Sequence, residues 1–264
     1  MKFVQVLVAC AAALLLTAAQ GLAAPAAKQS AAKQTVDPAA VAALDKMAAA
    51  LRSHEVFDLS AETTNEDVLQ SGEKLQYAGK LRIVAQRPDR FRIQAVSDTR
   101  NREYIYDGKT VTIFSPKLGM YASFAAPPTI RATIEKARND YDVELPLADL
   151  FAWGTDRASA EYLTSGVLVR PETIEGRSCN HYAFRQSGAD WQIWIANDAS
   201  ALPCKLVITN RDDASMPQYT AVLRWTFPKT VADAAFTFTP PSGAKKIAIA
   251  DVATMKAVRA KEKR

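Results

Sequence analysis

The sequence predicts an α+β fold that is mainly β: one curved antiparallel sheet, wet outside and apolar inside, with an N-terminal helix and a helical insert as candidate covers for its inner face. Three observations carry this. From Phe57 onward most of the chain alternates apolar and polar residues with a period of two, the pattern of strands with one wet and one apolar face. Residues 39–51 instead carry apolar side chains at three-to-four spacing. That helical spacing returns once in the middle, after Pro127-Pro128, before strands resume at Val167.

The N-terminus has its own logic. Lys2 is the only charge before Lys28, residues 3–16 are almost wholly apolar, and small residues follow to Ala24. A positive start, a short apolar core and a small-residue exit make a secretory signal peptide over residues 1–24, cut after Ala23 or Ala24. The apolar run falls short of the roughly 20 residues that span a bilayer. Leu7-Val8-Ala9-Cys10 imitates a lipoprotein cleavage box, but cutting there leaves only nine residues before Cys10, so Cys10 reads as part of the signal core. Export predicts a periplasmic protein without a lipid anchor.

Residues 25–36, rich in Ala, Lys and Gln, read as a flexible leader, and 37–248 as the folded domain. Asp37 is a good N-cap and Pro38 fits the first helical position; Val41, Leu44, Met47, Ala48 and Leu51 make the apolar stripe. The first strands then put Phe57 and Leu59 on one face, Leu75, Tyr77, Leu81 and Ile83 on the next, and Phe91 and Ile93 after the Pro88-Asp89 turn. Tyr104 and Tyr106 lead into Asp107-Gly108, a strong hairpin signal. A second turn over 116–119 leads to Met120, Ala122 and Phe124.

In the middle, Thr129 precedes a helical pattern with Ile130, Ile134 and Ala137. A second helical piece covers 146–153, with Leu150, Phe151 and Trp153, and a third 157–163. Strands are expected at 167–174, 179–186, 191–197, 204–210, 218–227 and 235–239, the last stopped by Pro240-Pro241. Residues 249–264 read as a basic tail. Cys179 and Cys204 open the first and third strands of a meander, and an exported chain with an even pair is expected to bridge them. Those strands lie about 9–10 Å apart across the middle one, so the bridge requires that middle strand to have ended.

Several of these features together resemble a known group. Tyr106-Asp107-Gly108-Lys109 precedes an apolar strand and Pro116. A helical insert interrupts the meander. Phe236-x-Phe238-x-Pro240-Pro241-x-Gly243-Ala244 closes it. This resembles the LolA/LolB-like superfamily of bacterial lipoprotein carriers. Cys179-x-His181-x-Ala183-Phe184, Asp190-Trp191-Gln192-Ile193-Trp194-Ile195 and Pro203-x-Lys205-Leu206-Val207-Ile208-Thr209 are similar to a family of predicted periplasmic proteins of unknown function within it. The resemblance covers residues 36–248 and implies a partial barrel around helices with an apolar cavity for acyl chains. The carriers use particular arginines at the lid, and that role is not carried over to any arginine of this chain.

Catalytic chemistry is scarce. The chain has two histidines, His54 and His181, and no zinc-type cluster, nucleophile elbow, phosphate loop or dinucleotide fingerprint. Asp140, Asp142 and Glu144 do not space as a calcium loop. Net charge is +5, or +4 without Lys2, with no dense basic block, so nucleic acid is not an expected partner. No enzyme activity, cofactor or metal is predicted. The expectation is a carrier for a hydrophobic ligand or acyl chain, with a transient contact to the envelope membrane or an envelope protein. Its candidate cavity residues are Phe57, Leu59, Ile83, Phe91, Ile93, Tyr104, Tyr106 and Phe124, with Phe184 and Trp225 from the later strands and Leu150 and Trp153 from the lid. The alternative is a barrel filled by its helices that acts as an interaction module, with these aromatic side chains as plain core; a hydrolase ranks third.

Overall fold

The computed structural model describes residues 35–154 and 158–254. The predicted signal peptide, the leader as far as residue 34, and the tail from 255 lie outside them. Helix α1 (Pro38–Ser53) starts where expected: the Asp37 carboxylate accepts from Ala39 N at 2.8 Å, Pro38 enters without a hydrogen-bond donor to lose, and Leu44, Met47 and Leu51 are buried. Thr35 and Val36, assigned to the leader, are tied down. Val36 bridges Gly166 in parallel, and Asp37 N donates to Gly166 O at 2.8 Å. A side chain at 166 would meet the Phe184 ring at 2.9 Å, so glycine permits this approach.

The first meander runs β1 (Val56–Val68), β2 (Lys74–Gln86), β3 (Arg90–Ser97), β4 (Asn101–Tyr106), β5 (Thr110–Ser115) and β6 (Met120–Ala125). The second runs β7 (Leu163–Ile174), β8 (Arg177–Gln186), β9 (Ala189–Ala196), β10 (Pro203–Asn210) and β11 (Gln218–Thr226). Antiparallel pairing of β1 with β11 fuses the two into one open sheet, whose twelfth strand among the described residues is the two-residue β12 (Lys245–Lys246), parallel to β6. Gly108 takes φ +94° in the β4–β5 turn, where Asp107 Oδ1 accepts from Lys109 N and Thr110 N at 2.9 and 2.7 Å.

Because β6 and β7 lie toward opposite ends of the sheet, the chain between them must travel from one side to the other. It crosses the apolar inner face as helix α2 (Ile130–Tyr141), a 3₁₀ turn (Ala148–Phe151) and another (Ala160–Tyr162). Thr129 caps α2, its hydroxyl accepting from Ala132 N at 3.2 Å, and Asp142 closes it in the left-handed conformation. The inner faces of both meanders, α1 and Leu145, Leu147, Leu150 and Trp153 of the insert form one core.

Four expectations need correction. Leu75 is 38% exposed because residues 74–78 run past β3, whose pairing with β2 starts at Gly79. Residues 235–239 are not a strand: β1 already has β2 and β11 on its two edges, and Asp233–Phe236 instead forms a 3₁₀ turn. That turn shows that the outer face is not wet throughout. Phe236 is 1% exposed, with the Arg90 guanidinium 5.8 Å from its ring; Arg92 Nη1 donates to Ala235 O at 3.2 Å; and Phe238 packs on Phe114 and Tyr121 at 5.3 and 5.1 Å. Ile249, placed in the tail, packs against the main core.

A second small core also lies outside, around Cys179–Cys204. Strand β9 ends at Ala196, directly opposite Cys179, and β10 is irregular between Pro203 and Lys205. The Cα atoms of the two cysteines therefore come within 6.9 Å, and the disulfide forms where the middle strand stops. Beside it Trp194 stacks on His181 at 4.0 Å and donates its indole N–H to Glu172 at 2.9 Å, while His181 Nε2 meets Gln192 Oε1 at 2.9 Å.

Phe236→Ala is expected to cost about 3 kcal/mol, as for other buried phenylalanines, seen as a lower denaturant midpoint. An unchanged midpoint would show that the outer-face turn contributes nothing. The Trp194 indole first, and Arg170 next, hold Glu172 down to about 2 from its ordinary 4.5. Its contribution to stability is whole above pH 4.5 and is lost as pH falls toward 2. Acid titration followed by tryptophan fluorescence should show Glu172→Gln losing less stability across that window than wild type.

A candidate hydrophobic ligand cavity

A cavity of about 380 Å³ lies between the inner face of β1–β3 and a wall made by the end of α1, the start of α2 and residues 145–152. Its floor follows from strand register. Phe57 pairs with Ala85, and Ala85 with Phe91, so a methyl sits between two rings. In the next row Ile83 pairs with Ile93. The small residue in the first row leaves the space. Ala48 and Leu51 of α1, Ile130 and Ile134 of α2, and Leu145, Leu150 and Phe151 form the wall.

Polar anchors hold α2 in place over this floor. Ile130 N donates to Pro88 O at 2.8 Å, Thr133 Oγ1 donates to Pro127 O at 3.1 Å, and the Tyr106 hydroxyl also donates to Pro127 O. Burial pushes the Tyr106 phenol up, which keeps it the donor. Further along, Tyr141 stacks on Phe124 at 4.3 Å.

Of the twelve sequence candidates, Phe57, Ile83, Phe91, Ile93 and Leu150 line the cavity. The other seven do not. Leu59 and Tyr104 are buried in the main core, and Tyr106 and Phe124 support α2. Trp153 and Phe184 pack on either side of Trp191, at 6.5 and 4.3 Å, and fill the barrel there. Trp225 lies beyond Phe57 and Phe151, at 5.8 and 6.2 Å, with its indole bonded to Pro203 O at 2.8 Å. One end of the barrel is packed with aromatic side chains and the other is open. Periodicity assigned ten of the twelve to the inner face and Leu150 and Trp153 to the lid, but which part of that face the helices cover depends on the path of the insert.

The mouth was not found from sequence. Arg52, Arg87 and Arg131 border it, with Thr129, Glu135 and Asp149. Arg131 Nε pairs with Glu135 at 3.1 Å, and Asp149 accepts from Arg138 Nη2 at 3.2 Å. Arg87 donates from Nε to His54 O and from Nη2 to Leu51 O, at 3.2 and 3.3 Å, and so caps the C-terminus of α1. Arg52 Nη1 donates to Trp153 O at 3.0 Å. Burial, and then the Arg52 charge, pull Arg87 below the usual guanidinium value. The only sequence signal was indirect: an arginine at the polar edge of α1 and another just before Pro88.

A more polar cleft of about 460 Å³ lies between residues 53–56 and 227–233, edged by Glu55, Lys229 and Asp233, with His54 stacked on Phe227 at 3.6 Å. It has no apolar floor comparable to that of the first. Among the described residues no group of three or more His, Cys, Asp or Glu is placed to hold a metal. Asp140 pairs with Lys136 at 2.7 Å.

A family model described as predicted periplasmic protein (DUF2092) matches residues 40–250, which take in α1, the sheet and the insert. The chain belongs to the DUF2092 family. As a DUF2092 member it is a periplasmic protein. No curated protein matches it by sequence. Among solved structures it is similar to the lipoprotein LppX of Mycobacterium tuberculosis, at 13% identity and a TM-score of 0.46 over 74% of this chain and 100% of the other. It is also similar to an uncharacterised conserved protein from Thermus thermophilus, at 11% identity and 0.47 over 80% and 99%. A LolA superfamily protein from Nitrosomonas europaea aligns at 10% identity and 0.35 over 75% and 97%.

Trp153 fastens the insert of this DUF2092 protein to α1, its indole donating to Asp45 Oδ1 at 2.8 Å. Trp153→Phe keeps most of the packing and removes the bond, at an expected cost of about 1 kcal/mol. Hydrogen exchange should quicken in residues 145–154 and stay unchanged in the sheet; equal protection would mean that the bond does not hold the insert.

Proposed function

We propose that this protein is a non-enzymatic periplasmic carrier or binding protein for a hydrophobic ligand, such as the acyl chain of a lipid or of an acylated protein. The supporting observation is the cavity itself. It has a floor of Phe57, Ile83, Ala85, Phe91 and Ile93, it opens at a polar rim, and it falls within the range of about 300–1,000 Å³ usual for small-molecule sites. Each methylene moved from water into such a space contributes about 0.8 kcal/mol, so binding needs no reactive group. Much of the wall belongs to the insert that crosses the sheet's inner face, which suits a site that loads and unloads. The packed aromatic end of the barrel supplies the rigid part against which that wall is set.

The test is native mass spectrometry of protein purified from the periplasm, followed by organic extraction and titration with a fluorescent fatty acid. A bound lipid is expected. Ile134→Glu, at a half-buried position on the wall, should keep the fold and weaken fatty-acid binding about tenfold or more, the effect of placing one charge against an acyl chain. A clean ligand-free mass with no uptake would sink the carrier and favour an interaction module that uses its outer surface.

A further inference from the structure

We propose that Arg52 and Arg87 form an anion subsite at the cavity mouth, and that the ligand is an amphiphile whose carboxylate or phosphate headgroup binds there while its chain fills the cavity. This rests on the carrier reading of the same cavity and specifies what that reading leaves open.

The argument starts from charge pairing. Several arginines elsewhere on the sheet are matched: Arg82 with Asp58 at 2.7 Å, Arg92 with Glu103 at 2.6 Å, and Arg185 with Asp190 at 2.6 Å. Arg52 and Arg87 have no carboxylate within 4.0 Å among the described residues, although Arg87 is half-buried and the two lie close enough for one charge to depress the other. The acids at the mouth are engaged elsewhere, Glu135 by Arg131 and Asp149 by Arg138. Two neighbouring cations beside an apolar cavity therefore have backbone carbonyls and, for Arg87, the Phe57 ring 5.9 Å away, but no carboxylate, as partners among the described residues. Such an arrangement costs free energy that an incoming anion recovers.

Geometry fits the same conclusion. The carbonyl bonds occupy Arg87 Nε and Nη2 and Arg52 Nη1, which fixes both guanidiniums and leaves Arg87 Nη1 and Arg52 Nη2 without protein acceptors among the described residues. Fixed guanidinium N–H groups suit the oxygens of a carboxylate or phosphate. The carbonyl acceptors at the end of α1 carry partial negative charge, and this explains why Arg87 caps the helix; it does not supply the full countercharge that two cations call for. Both side chains also line the cavity, so an anion held between them has its attached chain directed over Phe57 and Ala85.

The test titrates the full exported chain, stripped of lipid, with four probes: oleate, oleoyl lysophosphatidate, methyl oleate and inorganic phosphate. Oleate and the lysophosphatidate separate a carboxylate from a phosphate headgroup. Wild type should bind at least one of these anions about tenfold more tightly than the neutral ester, the scale of one charge-assisted hydrogen bond. Arg52→Gln changes an exposed side chain and should close that gap between anion and ester. Arg87→Lys, which keeps the charge but loses the planar fork, should close it in part. Equal binding of anions and ester, or a gap that survives in Arg52→Gln, overturns the subsite and leaves the carrier standing. Inorganic phosphate bound more tightly than either oleoyl anion overturns the amphiphile in favour of a free-anion site. Binding of none of the oleoyl probes removes the carrier reading and the subsite with it.

Discussion

The pairing of β1 with β11 is the constraint on which the rest of the molecule depends. It joins two meanders that would otherwise be separate sheets, and its register sets Leu59 opposite Trp225 and Ala61 opposite Leu223, so that one apolar face continues across the join. It also separates β6 from β7. The chain between them has to cross that apolar face, and a segment crossing an apolar face must bury its own apolar side chains there. The lid is thus a topological necessity before it is a functional part. Its contacts divide into a fixed end, where Trp153 enters the aromatic packing around Trp191, and a lighter end, where α2 rests on the capped turn above Pro88.

That division explains how one barrel contains both a packed core and a cavity. At the Trp191 end, rings from β8, β9 and the insert meet one another. At the other end the facing residues are Ala85 on the sheet and Ala48 on α1, and neither reaches far enough to close the gap. Close packing is the ordinary state of a protein interior, and apolar space left open is destabilising in proportion to its size. Small residues on both facing elements are the feature expected where selection maintains that cost for a ligand.

Much of the fold was legible in the sequence because it is written in local patterns. The Asp37-Pro38 start of α1, the Asp107-Gly108 turn, the Thr129 cap and the alternation of Phe91 and Ile93 each follow from a few adjacent residues. The errors share a cause in long-range arrangement. Residues 235–239 alternate like a strand, but the strand before them, β11, already has β1 and β10 on its two edges, and Leu75 alternates correctly on a ribbon that outruns its neighbour. For the site, alternation identified the inner face and with it Phe57, Ile83, Phe91 and Ile93. It said nothing of the insert's path, which decided that Phe184 and Trp225 are packing. Ala85 and the arginines were missed because an alanine in a strand and an arginine before a turn carry no signal of their own.

An open sheet ends in two strands whose outer backbone groups have no partner, and such edges recruit other chains. Here the protein covers them with two flanking stretches of its own. The stretch leading into α1 lies along β7 through Val36 and Gly166, and Lys245–Lys246 lies along β6, each touching the edge over only a residue or two. These two flanking stretches are therefore stoppers for the sheet edges. Loss of either stretch would leave the cavity lining in place but take Val36 or Ile249 from the main core, and would present unpaired backbone to every neighbour in the crowded envelope.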